Sequence, residues 1–595
     1  MTRLRALLGL EDARGLLLAL LLGVPPLLLQ LALPVPRVDA DAVEYYSQLR
    51  SLYFDFDLDL ANEFDHFGIL SRYDKRRPTE TGHRRTVFSV GPALLWMPFY
   101  AAGDLVARLQ GRVEDGYSPA HIRSACLGSL VYGLLGLLVL RRVLRDVAGE
   151  AAAAWALLLL LYATFLWWYV VYEPIMSHAP SFFLAAVALR VWWDGRHGLS
   201  LRRAAALGAI IGLAATVRWQ CAVLLLVPAA SLVLELRRKP REAAAKGALA
   251  LGAFLLGALP QMLAWKAVFG SYLLADPPAG RDFLRLGHPF LLQTLFSSRH
   301  GLLFWTPVLW AGFLGYALLW RRDRRAAIVL GIPLVVMTYV NACSGDWWAG
   351  GSFSNRRFDS VLPLLGLGLA LALRALRDAA ARRPGLVLGV GAFALSTWNL
   401  LFMQQYRDNR IPRDDTVAFP RVVETSADVL SALVGSPPAW PANWLFALRH
   451  RLSPQKYDLM VGKYLFFRQN NLGGVIDLGD DRSDPALLGE GFSGRAPCEA
   501  AVCREVLGRA RVFAPLDAPE TLDVTVRAAG SGSLGVSVNG QAVADLPLGP
   551  ALADLRFRVP AACWRRELNE IALRVSPGGA AALDLLRFDR PERRR

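Results

Sequence analysis

Residues 15–36, GLLLALLLGVPPLLLQLALPVP, contain no charged side chain. Runs of similar apolar character return near 119–140, 150–171, 178–193, 203–217, 219–236, 245–267, 300–320, 326–341, 358–376 and 385–403. About 20 helical residues cross the ~30 Å hydrocarbon core of a bilayer. Inside that core each backbone N–H and C=O must be satisfied without water, which leaves helices as the solution for such runs. The pattern predicts a mostly α polytopic membrane protein of about eleven transmembrane helices.

Charge orients the crossings. The chain carries 66 Lys and Arg against 50 Asp and Glu, a net +16. Basic residues collect between the apolar runs at Arg141, Arg142 and Arg145, at Arg196, Arg202 and Arg203, and at Arg237, Arg238, Lys239 and Arg241. Two further groups are Arg321, Arg322, Arg324 and Arg325, and then Arg382 with Arg383. Cytoplasmic loops attract such residues, and no basic face of a compact domain argues for nucleic acid. With the basic N-terminus also inside, two crossings must separate residue 14 from residue 141. The runs at 15–34 and 119–140 supply both. Residues 87–109, interrupted by Gly91-Pro92 and Pro98, are therefore expected to lie at the outer surface as an interfacial helix. No small-residue cleavage site follows the first run, so it is expected to stay as an uncleaved helix. The outer segments are then 35–118, 172–177, 268–299, 342–357 and everything after 404.

The last 190 residues change period. TLDVTVRAAG alternates apolar and polar positions, and LGVSVNGQAVADL places Asn539-Gly540 between two alternating runs, a hairpin signal. An extracytoplasmic antiparallel β-sandwich of jelly-roll type is expected over 461–595, joined by a membrane-surface linker at 404–460 to the helical domain of 1–403. In an oxidising compartment Cys498 and Cys503 could pair, leaving Cys563 over. None of the six cysteines has metal-ligand spacing, and the sequence indicates no cofactor while leaving a divalent metal open.

The first outer segment opens on VDADAVEYYSQL, with Asp39, Asp41 and Glu44 within six residues. Asp41 and Tyr45 share a helical face. Helix capping by Asp39 or Asp41 explains one acid. Glu173 and His178 lie in the short second outer loop, where ionisable groups are expensive and often functional, although Glu173 also suits an interfacial cap. Arg84, Arg85, Arg218, Arg299 with His300, and Arg356 with Arg357 fall on the outer side against the general bias. Each could snorkel to headgroups. Together they suit an anionic ligand, since the guanidinium fork matches phosphate. Trp348, beside Trp347, fits an aromatic wall for a sugar or lipid, or an interface belt.

DADAVEYYSQL, DFDLDLANEF and FSVGPALLWMPFYAAG, followed by YEPIMSHAPSFFL, AATVRWQCAVLLLVPA, HGLLFWTPVLW and WWAGGSFSNRRFDSVLPLL, resemble stations of bacterial GT-C glycosyltransferases. These are polytopic enzymes related to protein O-mannosyltransferases and the lipid A aminoarabinose transferase. The resemblance covers roughly residues 10 to 405 and implies a GT-C-like fold in the bacterial inner membrane. It implies a polyprenyl-phosphate sugar donor, an acceptor hydroxyl on a glycan, lipid or protein, and inverting transfer at the extracytoplasmic face. The family's first-loop base maps onto Asp41. Ala42 replaces the second acid of the usual Asp-Glu pair, so that role would pass to Asp39 or Glu44. The first-loop lysine is missing from FSVGP, and Arg84 or Arg85 would replace its charge. On this reading Tyr45, Arg84, Arg85, His178, Arg218, Arg299, His300, Trp348, Arg356 and Arg357 surround the substrates, with Glu173 as the rival base. A transporter or flippase of a lipid-linked or anionic substrate would favour repeats and midplane charges, and a non-catalytic glycan-binding membrane protein would not need charges shared among several outer loops.

Overall fold

The computed structural model describes residues 13–70, 78–111, 115–236, 239–274, 283–380, 382–434, 439–450, 464–466, 473–479, 487–499 and 501–591. Arg237 and Arg238, and with them part of one basic loop, lie outside these residues, as does much of the expected linker. The chain divides into two units, Met1–Ser426 and Ala427–Arg595.

The first unit is helical. Among its described residues seven helices are long and apolar enough to cross a membrane: Ala13–Ala32, Pro119–Ala148, Trp219–Leu236, Pro240–Phe269, Arg324–Ala342, Arg356–Ala379 and Pro384–Arg407. The other four expected crossings correspond to shorter helices. Glu150–Tyr162 has 13 residues, His178–Asp194 and Leu201–Val217 have 17 each, and Leu309–Arg322 has 14. The run at 150–171 is broken because the α-helix stops at Ala163 and a π-turn follows at Trp168–Tyr172. Asn399, fully buried, donates to the carbonyls of Tyr162 and Thr164 and so satisfies the acceptors released by that break. Gly91–Leu109 forms a 19-residue helix and is not among the seven long apolar ones.

Helix pairs in this unit meet backbone to backbone. A Cβ on Gly212 would stand 2.2 Å from the Phe254 carbonyl oxygen, and one on Gly315 would stand 1.8 Å from that of Gly368. Small residues allow this approach in an apolar medium, where dispersion rather than hydrophobic burial joins helices.

The segment after the first helix is locked by polar contacts. Arg50 ion-pairs with Glu63 at 2.8 Å and with Asp55. Glu63 is fully buried, and loss of water pushes its carboxyl up to about 7, against the pull of Arg50. Nearby, Tyr46 and Tyr100 both donate to the carbonyl of Gly116.

Among its described residues the second unit has ten strands: β1 (Val475–Asp477), β2 (Phe492–Cys498), β3 (Ala501–Val506), β4 (Arg509–Leu516), β5 (Leu522–Ser531), β6 (Ser533–Val538), β7 (Gln541–Pro547), β8 (Ala553–Val559), β9 (Glu567–Val575) and β10 (Ala580–Asp589). One antiparallel sheet runs β2-β3-β10-β5-β8 with β1 also on β10, and the other runs β4-β9-β6-β7. Alternating residues of both sheets, among them Val524, Val526, Val536, Val538, Ile571 and Leu586, fill one apolar cluster. Asn539 at φ 50° and Gly540 at φ 86° make the β6–β7 turn, as that dipeptide predicts. Cys498 and Cys503 are joined by a disulfide, their Cα atoms 5.8 Å apart.

Candidate active site

The site is assembled from four segments of the first unit. After the first helix the chain turns through Ala40, whose φ of 48° is strained for a residue with a Cβ. Helix Asp41–Arg50 follows. No side chain caps it, so Asp41 is its first residue and neither Asp41 nor Asp39 serves as the cap. The loop before His178–Asp194, the bend at Arg218 and the 3-10 segment Arg356–Val361 complete the frame.

That 3-10 segment carries three charges in different directions. Arg356 reaches Asp41 at 2.7 Å. Arg357 donates to the Asp346 carboxylate at 2.6 Å and to its backbone carbonyl at 2.8 Å. Asp359 turns inward, fully buried, where His178 Nδ1–H donates to it at 2.9 Å and Arg218 Nε lies 3.2 Å away. Arg218 also donates to Ser177 Oγ at 3.0 Å, and Ser177 is 2.9 Å from the Tyr45 hydroxyl. Burial pushes the Tyr45 phenol up to about 12, so it stays protonated and available as a bridge. A continuous polar chain thus runs from Tyr45, one turn below Asp41, to the buried Asp359.

Asp41, Tyr45, Arg218, Arg356 and Arg357 line one cavity of about 230 Å³, together with Asp346, Val87–Ser89, Met176, Trp219, Gln220 and Phe283. Three arginines meet two carboxylates at its wall, with Asp359 behind. Guanidinium groups placed this way can hold a phosphate, and a partly open carboxylate beside them can accept a proton.

The other candidates lie elsewhere. Glu44 is buried and accepts from the Val87 backbone at 3.3 Å, which holds the strap that forms one cavity wall. Arg84 pairs its backbone with Pro78 at the start of that strap, next to Arg85. His178 is behind the cavity and fully enclosed. Glu173 faces Arg413 at 4.0 Å, its carboxyl held above the ordinary range by lost water, with Asp39 adding to the effect and Arg356 and Arg413 opposing it. His300 Nε2–H donates to the Arg413 carbonyl at 2.9 Å. Arg299 pairs with Asp414 at 3.2 Å and stacks 3.7 Å over the Trp348 ring. Glu173, His300 and Arg299 thus meet Arg413 and Asp414, on the chain that follows the last long helix.

Asp346, Asp359 and Arg413 were not singled out by the sequence reading. A usable signal existed for Asp359: an acid inside the apolar start of a predicted crossing, which is costly there unless paired. Among the described residues no three His, Cys, Asp or Glu side chains gather to hold a metal ion.

No family model and no curated protein matches the chain. Solved structures do. ArnT from Cupriavidus metallidurans bound to undecaprenyl phosphate aligns at 16% identity and a TM-score of 0.44, over 74% of this chain and 73% of that one. Arabinosyltransferase EmbB from Mycobacterium smegmatis aligns at 13% and 0.38, over 99% of this chain and 65% of that one. The oligosaccharyltransferase of Archaeoglobus fulgidus aligns at 14% and 0.37, over 74% and 60%. The chain spans less than two thirds of the latter two.

Proposed function

We propose that the protein is a GT-C-type glycosyltransferase that moves a sugar from a polyprenyl-phosphate donor to an acceptor hydroxyl at the extracytoplasmic face of the membrane. The observation that carries this reading is the meeting of Asp41 with Arg218, Arg356 and Arg357 at one cavity. In the reaction the acceptor oxygen forms a bond to the anomeric carbon while the bond from that carbon to the phosphate oxygen breaks, with inversion. The acceptor proton passes to the Asp41 carboxylate. The electron pair of the broken bond stays on the lipid phosphate, and the arginines stabilise the charge that gathers there. Phosphate leaves without protonation, so no general acid is needed. A base supplies typically ~10²–10⁴-fold and the fixed cations the remainder of the acceleration.

Tyr45 and Ser177 position Arg218 in this scheme, and Asp359 with His178 fixes it from behind. Trp219, Gln220 and Phe283 are proposed as walls for the sugar. Glu173 and the Arg299–Trp348–Asp414 cluster would serve substrates approaching from the other side of Arg356. The C-terminal sheets, which share one core, are proposed to form a jelly-roll-like sandwich in the extracytoplasmic space.

The test is transfer of label from radiolabelled polyprenyl-phosphate sugars by the full chain in proteoliposomes. Labelled acceptor with release of polyprenyl phosphate is expected. Movement of the intact lipid-linked sugar across the bilayer, with no transfer, would make the protein a transporter instead.

A further inference from the structure

Each arginine of the cavity already has a carboxylate partner: Arg218 has Asp359, Arg357 has Asp346, and Arg356 has Asp41. The three pairs are not equivalent. Asp359 is fully buried and holds Arg218 together with His178. Arg357 would remain on the Asp346 backbone carbonyl even if the carboxylate turned away. Arg356 alone among them is paired with the proposed base, by a contact whose two side chains are 20% and 31% exposed. An ion pair that keeps such access to water is weak enough to exchange partners.

We infer that the Asp41–Arg356 pair is a latch opened by the phosphate group of the donor. While the cavity is empty, Arg356 holds the carboxylate in the ion pair and keeps it from an acceptor hydroxyl. An incoming phosphate takes the Arg356 fork, which offers it a bidentate partner, and Asp41 is released beside the anomeric carbon as a competent base. Base and leaving-group cation are thereby set in the same step, so donor binding precedes activation of the acceptor. The exchange forms and breaks only ion pairs and hydrogen bonds. It rests on the transferase reading for its purpose, but phosphate binding can be measured without any transfer.

The test is the affinity of the full chain, in nanodiscs, for polyprenyl phosphate and separately for inorganic phosphate. Because Asp41 competes with phosphate for Arg356, Asp41→Asn should bind the anion at least about 3-fold more tightly than the unaltered protein. Asp346→Asn removes the same charge from the same cavity but leaves Arg357 tethered, so it separates the latch from simple repulsion. A gain in Asp41→Asn that exceeds the gain in Asp346→Asn supports the latch. A gain with both probes assigns the site to phosphate as such, and a gain with polyprenyl phosphate alone assigns it to the lipid-borne group. No gain, or equal gains in the two variants, overturns it. A double-mutant cycle gives a second decision: in an Arg356→Gln background the effect of Asp41→Asn should vanish, and its persistence would mean long-range repulsion only. If these affinities behave as expected while no sugar is transferred, the latch stands and the transferase reading fails. If sugar is transferred and the affinities do not change, the latch fails alone.

Discussion

Glu63 is the clearest single-residue consequence of putting charge inside the segment that follows the first helix. Burial favours its protonated form, and its carboxyl is pushed up to about 7 from an ordinary value near 4.5. The folded protein therefore binds more protons than the unfolded chain between those values. Stability is full below pH 4.5 and is lost as pH rises through 7, by about 3 kcal/mol in the limit. Thermal unfolding in detergent should show a melting temperature falling from pH 5.5 to pH 8, with the slope reduced in Glu63→Gln. A slope unchanged in that variant would assign the pH response to another group. The same scale explains which site residues could be read from sequence. Asp41, Arg218, Arg356 and Arg357 were legible because charge beside an apolar run needs a reason. The partnership of Asp359 with His178 joins residues 181 apart, and no local pattern encodes such a pairing. His178 was legible as a candidate, yet its position behind the cavity follows from packing against Tyr169 at 4.0 Å.

At the scale of elements, the 3-10 segment Arg356–Val361 is aimed by the helix it begins. That helix continues as Leu362–Ala379 and packs on Leu309–Arg322 through Gly315 and Gly368. Gly315→Ala would drive a methyl into the Gly368 carbonyl, so the two helices must separate and carry the arginines with them. A loss of roughly 1–3 kcal/mol in thermal stability is expected, together with reduced transfer. Gly331→Ala, whose added methyl meets nothing within 4 Å, should leave both unchanged. Equal behaviour of the two variants would mean that this contact does not set the site. Apolar runs were visible in the sequence at every one of these helices, whereas their interruptions were not. The break after Tyr162 depends on Asn399, 237 residues later, and only the folded chain supplies that partner. The strands of the second unit were more legible, because alternation and the Asn539-Gly540 turn are local signals.

For the whole molecule, the arrangement proposed for catalysis requires Asp41, Arg218 and Arg356 on the extracytoplasmic side. Parity of the basic loops predicts that side for them, with Gly91–Leu109 expected at the surface. A reporter active only outside the cytoplasm should work when fused after residue 60, 115 or 420 and stay silent after 145 or 240. Silence after 115 with activity after 145 would mean that Gly91–Leu109 crosses the membrane and would reverse the later loops.

The most direct test of the account is the turnover of Asp41→Asn. The exchange keeps the size of the side chain at the first position of its helix, where no cap bond is made, so folding should be preserved. Sugar transfer by this variant in proteoliposomes is predicted to fall at least ~100-fold, the smallest loss typical of a missing general base, with an unaltered melting temperature. Turnover within about threefold of the unaltered protein, at equal folding, would contradict the assignment of Asp41 as the base and with it the proposed mechanism.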